Sequence, residues 1–530
     1  MLCRAVPSAL LVYLSCIAAA VEGRLAGVEV ELANGNVSGH SFGPGLYEFL
    51  GIPYAESTAT ARWKAPVKKQ PWSPATLDAT KFGHPCPGFK NARTANLTAS
   101  EDCLSLNVWT SKDAEKLPVL VWVHGGGFFT GTSADPLYTG RVFAQHKAVL
   151  VTVNYRLGAL GFLPSEDGRT ANFGLRDQAL ALQWVQENID RFGGDAQRVT
   201  LFGQSAGAMS VLAHLASPAS RGLFVRAASF SPVAIHCRSL TAYAAHAKTL
   251  FHSVGCHEDD YDCMRSKDFR DIVKHQMLGE YMFHFKDGGR TQFLPWIPAC
   301  GDDFLPQDPA SFLVYNGTYP GIEGVVMGNV KDEMGYFVPV LLNSSITTNG
   351  LIDVVFSSKN KNLISSLYAQ NDGERGDEYM QLVDLLSDYL VACYVRHLAR
   401  GMTVVQNNAP VYLYEFEHAP SYGANVDNWS HRGCTGMPCH ASDNVFNFQS
   451  VAYLENASFT QYELALSEAM MGSLVDFAYG KDGLFFPYAT KEDMRLQWGV
   501  PGSHSRVYTT NTQYRSKFCA VWDRLGWGFT

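Results

Sequence analysis

The middle of the chain alternates short apolar runs with a longer segment in which apolar residues recur at helical spacing. The runs LPVLVWV (117–123), AVLVTV (148–153) and VTLF (199–202) are rich in β-branched residues. The stretch DQALALQWVQENIDRF (177–192), between the second and third runs, has a helical pattern. Strands that alternate with helices form parallel sheets with helices on both faces. The pattern therefore predicts an α/β protein with a mostly parallel, twisted central sheet.

The N-terminus departs from this alternation. Arg4 precedes an apolar run, Ala9 to Ala20, that ends in small residues. The run is too short for a membrane-spanning helix, which needs about 20 apolar residues, and it has the layout of a secretory signal peptide. We predict a signal peptide at 1–23. No Pro-, Gly- or Ser-rich linker divides the rest of the sequence, so we expect 24–530 to form a single large domain with helical insertions.

Composition indicates a compartment and argues against one class of partner. With 46% hydrophobic residues the chain can bury a large core, and its net charge of −8 gives no electrostatic reason to bind nucleic acid. Ten of the 12 cysteines lie beyond the predicted signal, which favours disulfides in a secreted chain. We expect a secreted, extracellular glycoprotein with no membrane span. The N-x-S/T sequons, which are candidate glycosylation sites, are Asn36, Asn96, Asn316, Asn343, Asn428 and Asn456.

The first candidate for chemistry is the serine in RVTLFGQSAGAMS (198–210). Gly203, Ser205 and Gly207 fit the G-x-S-x-G pattern of a nucleophile elbow, a sharp turn that exposes a serine between a strand and a helix. The five-residue pattern alone is weak, but here a strand-like run precedes it and a helix-compatible segment follows. We therefore predict that Ser205 is a nucleophile rather than a polar residue in a flexible connection.

A glycine-rich segment upstream fits the same chemistry. His124 is followed by three glycines directly after the run 117–123. Glycine backbone can curl around a carbonyl oxygen and aim N–H groups at it as negative charge develops. A flexible turn is the alternative for the glycines alone, but their occurrence together with the serine motif favours an oxyanion hole. We assign its donors to the amides of Gly126, Gly127 and Ala206.

Several longer signatures resemble those of the type-B carboxylesterase and cholinesterase-like family of α/β hydrolases. They are FLGIPYA (49–55), EDCLSLNVW (101–109), VNYRLGALGFL (153–163) and the stretch 171–195, which leads into the serine turn. The resemblance runs in order through nearly the whole predicted mature chain. It implies the α/β-hydrolase fold and a triad in the chain order serine, acid, histidine.

The same resemblance implies the acid and the base. GNVKDEMGYF (328–337) is similar to the family segment that carries the acid, and its register implies Glu333 rather than the adjacent Asp332. CHASDNVFNF (439–448) is similar to the segment that carries the base, which implies His440. Ser205, Glu333 and His440 are then the predicted triad.

The histidine loop also has competing interpretations. The family usually has glycine after the base, and here the residue is Ala441. His418 and His431 are nearby histidines, for which we favour surface or structural roles. Cys439 beside His440 could suggest a metal site, but a triad histidine cannot also be a metal ligand. We predict no metal and no cofactor.

Resemblance also implies three disulfides. The remaining four cysteines allow three pairings, and we favour the set in which one bridge pins the loop before His440. The bridges implied by the family are Cys86–Cys103, Cys256–Cys263 and Cys393–Cys519; the less secure set is Cys434–Cys439 and Cys237–Cys300.

Departures from the cholinesterases bear on the substrate. Cholinesterases hold their cation against a tryptophan between the first two bridge cysteines by cation–π attraction, whereas Phe89 is the only aromatic residue of 87–102 here. They carry glutamate before the nucleophile, whereas this chain has the uncharged Gln204. Both differences argue against a quaternary ammonium substrate. The loop 87–102, between the first two bridge cysteines, has 16 residues and is short for a lipase lid. This short length favours water-soluble esters as substrates.

Together these features predict a secreted serine carboxylesterase that hydrolyses uncharged, fairly water-soluble small-molecule esters through an acyl-enzyme. A lipase, or an esterase specialised for a hormone, toxin or plant ester, is the alternative enzyme. A non-catalytic adhesion or binding protein is the alternative of another class, because the fold also serves such modules. The lining of the acyl pocket stays open: Phe293, Trp296 and Phe304 either line it or pack elsewhere.

Overall fold

A computed structural model describes most of the chain, and a large twisted sheet dominates the described part. The predicted signal peptide and four residues considered above lie outside the described residues: Phe293, Asn343, Asn428 and His431. The description covers 28–526 apart from 91, 235, 277–284, 288–289, 293, 343–357, 370–377, 406–408, 423–433, 435, 455, 500–501, 504 and 514.

The described strands form one large sheet and two small ones. The strands are β1 Val28–Leu32, β2 Gly35–Gly43, β3 Leu46–Pro53, β4 Thr76–Asp78, β5 Ser105–Ser111, β6 Leu117–Val123, β7 Val149–Val153, β8 Gly194–Gln204, β9 Arg226–Phe230, β10 Arg238–Ser239, β11 Phe285–Asp287, β12 Arg290–Gln292, β13 Ala299–Cys300, β14 Gly324–Val330, β15 Val411–Phe416, β16 Arg495–Trp498 and β17 Tyr508–Asn511. In the large sheet the strands follow the order β1-β2-β3-β5-β7-β6-β8-β9-β14-β15-β16-β17, and β4 pairs with β2. The small sheets are β10–β13 and β11–β12.

The helices occupy the connections between strands and the segments beyond them. The predicted helical stretch is α-helical up to 188, and its last four residues, 189–192, form a 3₁₀ turn. The α-helices are α1 Arg141–Gln145, α2 Gly158–Phe162, α3 Phe173–Asn188, α4 Ala206–Ala216, α5 Leu240–Ser253, α6 Tyr261–Ser266, α7 Phe269–His275, α8 Pro309–Asn316, α9 Phe337–Leu342, α10 Ser358–Ala369, α11 Glu378–Ser387, α12 Cys393–Val405, α13 Ser442–Asn447, α14 Gln461–Ala478 and α15 Ser516–Leu525.

The centre of the large sheet is parallel, as predicted. Strands β7, β6, β8, β9, β14, β15 and β16 pair in parallel. The strands on both flanks pair antiparallel, except that β4 pairs with β2 in parallel. Because parallel neighbours end at the same edge of a sheet, the residues after β6, β8 and β14 come together. Those segments begin with His124, Ser205 and Lys331, so the predicted site residues that follow them share one edge.

The apolar core lies on both faces of this sheet. In β6, Val119 and Val121 belong to one buried cluster, and Leu120 and Trp122 belong to the other. Successive strand residues point to opposite faces, so a strand covered on both sides reads as a continuous apolar run. This is why 117–123 lacks the alternation of a half-exposed strand.

Five disulfides join cysteines of the described residues. The three bridges implied by resemblance and both less secure ones are present: Cys86–Cys103, Cys256–Cys263, Cys393–Cys519, Cys434–Cys439 and Cys237–Cys300. The last joins the β10 segment to the end of β13 and so closes the base of a helical insertion. Among the described helices, none combines the length and apolar character needed to cross a membrane.

Candidate active site

Ser205 occupies a strained turn between β8 and α4. Its φ and ψ are 58° and −123°, a conformation that is unusual for a residue with a Cβ atom and is typical of functional turns. The surroundings hold it there: its N–H donates to Phe230 O at 2.9 Å, and its carbonyl accepts from Met209 N in the first turn of α4. Ser205 therefore lies at a sharp turn between a strand and a helix.

The glycines that flank Ser205 are required by close backbone contact. A Cβ atom on Gly207 would lie 2.0 Å from the Val123 carbonyl oxygen, at the end of β6. A Cβ atom on Gly203 would lie 2.6 Å from the backbone of Gly207. Only glycine lets the strand, the helix and the neighbouring strand meet this closely.

The three-glycine segment packs directly against the elbow. A Cβ atom on Gly125 would lie 3.1 Å from Ser205 Cβ, and Gly126 and Gly127 have φ of 107° and 59°. Within the described part of the chain, the N–H groups of Gly126 and Gly127 donate no hydrogen bond. Ala206 is the first residue of α4, where N–H groups have no partner within the helix. The geometry thus leaves three donors beside Ser205.

His124 anchors the start of this glycine segment. Its ring stacks on Tyr155 with the ring centres 4.5 Å apart, and its Nδ1 lies 2.9 Å from Gly125 O. Burial lowers the pKa of His124 to about 4, so the ring is neutral at neutral pH. It is a packed structural residue that shapes the turn.

Glu333 and His440 meet as the resemblance implies. Glu333 begins a 3₁₀ turn after β14, and its buried carboxylate accepts from Val330 N at 2.9 Å through Oε1. Its Oε2 lies 2.5 Å from His440 Nδ1. Asp332, the alternative acid, pairs through its backbone with Cys439 in an isolated bridge. The glutamate is thus the acid that contacts the histidine.

The loop that carries His440 is fixed on both sides. The Cys434–Cys439 disulfide precedes it, and the Asp332 N–H donates to Pro438 O at 3.1 Å. After it, Ala441 lies at the N-cap position of α13 and has φ of 69°, in the left-handed region that favours glycine. The residue after His440 therefore has a backbone conformation that glycine would adopt with less strain.

The second ring nitrogen of His440 contacts Gln204. Gln204 Nε2 lies 3.0 Å from His440 Nε2, and the glutamine is 3% exposed. Among the described residues, no hydrogen bond joins Ser205 Oγ to His440. The sequence predicted only that Gln204 lacks a charge. Its contact with His440 was not predicted, because the two residues lie 236 positions apart in the chain.

Asp443 is a second residue that sequence reasoning missed. It is fully buried behind the Glu333–His440 pair and accepts a hydrogen bond from Tyr414 Oη at 2.8 Å. The pKa of Asp443 is raised to about 6: burial is the largest cause and the negative charge of Glu333 adds to it, while the Tyr414 hydrogen bond and His440 act in the opposite direction. An acid three positions after His440 in CHASD was the available signal.

The other candidates occupy structural positions. His418 Nε2 lies 3.1 Å from Glu463, which also completes the capping box of α14. Trp296 is buried between Tyr243 and His246, so it packs in the helical insertion. Phe304, also buried, packs on His214 and Arg176.

A search of the described residues for metal ligands finds one cluster. The side chains of Cys237, Cys300 and Asp308 lie within 4.8 Å of one another. The two cysteines are joined in a disulfide and so have no thiolate to offer a metal. The cluster does not form a metal site while the bridge is intact.

Comparisons with known proteins show which family the chain resembles. The model of the carboxylesterase family matches residues 23–513. An acetylcholinesterase from Bungarus fasciatus is 32% identical over 96% of this chain and 88% of its own length, and an acylcarnitine hydrolase from Mus musculus is 30% identical over 87% and 85%. The solved structure of a thermophilic pNB esterase superimposes with a TM-score of 0.76 at 27% identity, covering 93% of this chain and 99% of that one.

The fold matches in these comparisons, and the predicted resemblance is confirmed across most of the sequence. The chain belongs to the carboxylesterase family of α/β hydrolases.

Proposed function

We propose that this protein is a serine carboxylic-ester hydrolase in which Ser205 is the nucleophile, His440 the base and Glu333 the orienting acid. One observation carries the proposal: the strained serine, three backbone donors and the His440–Glu333 pair meet at one edge of the sheet. An enzyme that forms an acyl-enzyme needs these groups together.

In the first step, Ser205 Oγ attacks the ester carbonyl carbon, and His440 Nε2 takes the hydroxyl proton. Negative charge develops on the carbonyl oxygen, where the amides of Gly126, Gly127 and Ala206 stabilise it. When the carbon–oxygen bond to the alcohol breaks, His440 returns the proton to the leaving oxygen. Ser205 then carries the acyl group as an ester.

In the second step, water attacks the acyl-enzyme. His440 takes a proton from the water, the tetrahedral intermediate forms again among the same donors, and its collapse releases the carboxylic acid. Ser205 recovers its proton from His440. Throughout, the buried carboxylate of Glu333 holds Nδ1–H and so keeps the basic lone pair on Nε2.

Replacing the nucleophile tests this assignment. We expect Ser205→Ala to lower kcat for an uncharged phenyl ester by about 10⁶-fold, as for other triad serines, and to abolish labelling by an organophosphate. Mass spectrometry of the labelled wild type should map the adduct to Ser205. Full activity in the variant would contradict the proposal, and a wild type that is never labelled would favour a non-catalytic binding protein.

For the substrate we propose uncharged, fairly water-soluble esters rather than choline esters. The residue before the nucleophile, Gln204, is uncharged, and its amide is directed to His440. In the loop closed by Cys86–Cys103, Phe89 is the aromatic residue, and its ring packs edge-on against Phe129. A quaternary ammonium group binds best against a tryptophan face or beside a carboxylate. Gln204 carries no charge, and Phe89, although exposed, is a phenylalanine.

A matched pair of esters tests the charge preference. Choline butyrate and 3,3-dimethylbutyl butyrate have nearly the same shape and differ in the charge on the alcohol. We expect kcat/KM for the two to agree within about tenfold, because the charged one gains no cation–π attraction of ~2 kcal/mol. A preference of more than about a hundredfold for the choline ester would contradict the proposal. A sharp rise in activity once an ester exceeds its solubility would indicate a lipase instead.

We also propose that the protein is secreted and glycosylated. Asn96, Asn316 and Asn456 are exposed, Asn36 is half-buried, and a glycan needs such access. The five disulfides fit an oxidising compartment. Expression in a eukaryotic secretory host, followed by glycosidase treatment, should give a mature chain that begins near residue 24 and loses mass on deglycosylation.

A further inference from the structure

Gln204 occupies the position on His440 that the reaction needs. Its Nε2 lies 3.0 Å from His440 Nε2. Gln204 is buried, and the His440 side chain is 9% exposed. The proposed mechanism requires that same ring nitrogen to accept the proton of Ser205. A lone pair cannot serve both donors at full strength, so the contact bears directly on catalysis.

The direction of this hydrogen bond follows from the rest of the triad. Glu333 is acceptor-only as a carboxylate, so the proton between it and His440 lies on Nδ1. The neutral ring then has its lone pair on Nε2. An amide nitrogen has only N–H donors, so Gln204 donates to His440.

The other end of the same amide reaches the oxyanion segment. A Cβ atom on Gly125 would lie 3.0 Å from Gln204 Oε1 and 2.7 Å from Gln204 O. The side chain therefore extends from the glycine turn to the histidine. Its burial leaves it no solvent to exchange with when it releases the ring.

We propose that Gln204 is a positioning residue that holds His440 in a resting arrangement and must release Nε2 before Ser205 is activated. This inference rests on the proposed function of Ser205 and His440. Gln204 would release His440 when substrate binds, because the Ser205 hydroxyl then competes for the lone pair of Nε2. Gln204 thus lowers the reactivity of the resting triad, and it is also a residue at which this chain differs from the cholinesterases.

Two variants remove the donor while keeping the length of the side chain. Gln204→Met has no N–H group, and Gln204→Glu has none when ionised. The readout is the second-order rate constant for inactivation by diethyl para-nitrophenyl phosphate, an uncharged probe. Ser205 Oγ forms a bond to phosphorus, para-nitrophenolate leaves, and the serine proton passes to His440, so the rate reports activation of the serine alone.

We expect Gln204→Met to raise this rate constant between about two- and tenfold, the range that corresponds to one net hydrogen bond. We expect Gln204→Glu to raise the alkaline plateau similarly and to move the acid limb of its pH profile to higher pH by about one unit, because a carboxylate favours the charged ring. Glu333 and Asp443 also face His440 and are unchanged in both variants.

Gln178 is the matched control, because it is buried and hydrogen-bonds another histidine, His214, at 3.0 Å. Gln178→Met should lower the melting temperature without changing the inactivation rate constant. An unchanged or lower alkaline plateau in both Gln204 variants would overturn the inference while labelling of Ser205 still supported the proposed function. Labelling of Ser205→Ala at the wild-type rate would instead overturn the proposed function.

Discussion

At the scale of single residues, the contacts of the His440 ring define the site. Glu333 contacts Nδ1, Gln204 contacts Nε2, and Phe337 packs edge-on against the ring with 5.4 Å between ring centres. The resemblance predicted the first contact through a motif register. The others could not be predicted, because they join residues from separate strands and loops whose approach is set by the sheet.

The buried carboxylate of Asp443 gives a prediction about stability and pH. The pKa of an unfolded aspartate is 3.8, and burial raises it to about 6 in the folded protein. The folded state therefore binds the proton more tightly than the unfolded state does. Ionised Asp443 lowers the free energy of unfolding by its full amount above pH 6 and has no such effect below about pH 4. A shift of this size corresponds to at most about 3 kcal/mol.

We therefore expect Asp443→Asn to raise the melting temperature at pH 8 and to leave it unchanged at pH 4. The amide keeps an acceptor for Tyr414 Oη, so the hydrogen bond at 2.8 Å is retained. Thermal unfolding of both proteins at the two pH values measures the difference. An equal change in melting temperature at both pH values would mean that the negative charge of Asp443 does not destabilise the folded protein.

At the scale of elements, the strand β8, the elbow and the helix α4 form one unit with β6. At this junction, helix propensity and tertiary packing favour different residues. Alanine is a better helix former than glycine by about 1 kcal/mol, so propensity alone favours alanine at Gly207 in α4. The carbonyl oxygen of Val123, 2.0 Å from the position of a Cβ atom, forbids it.

Replacing that glycine should show which effect is larger. We expect Gly207→Ala to cost more than about 3 kcal/mol or to prevent folding, because a backbone atom cannot move aside without opening β6 from β8. Gly472→Ala is the control, because it lies inside α14 with nothing within 4 Å of its Cβ position. It should raise stability by up to about 1 kcal/mol. Unfolding by urea, or soluble yield, measures both; a stable Gly207→Ala protein would refute the contact argument.

At the scale of the whole molecule, the central parallel strands bring distant segments to one edge. Ser205, Glu333 and His440 follow or flank different strands, and the disulfides Cys434–Cys439 and Cys237–Cys300 hold the surrounding loops. The sheet is rigid because both of its faces are buried. The site is therefore assembled by rigid elements rather than by loops alone.

The sequence by itself determined the α/β architecture, the elbow and the glycine turn, because these depend on local periodicity and on backbone demands that few residues meet. Family signatures added Glu333 and His440. Only the tertiary structure decided that Trp296 packs in the insertion and that Gln204 contacts His440. The physical reason is that such contacts depend on the distances between elements far apart in the chain, and no local pattern of residues contains those distances.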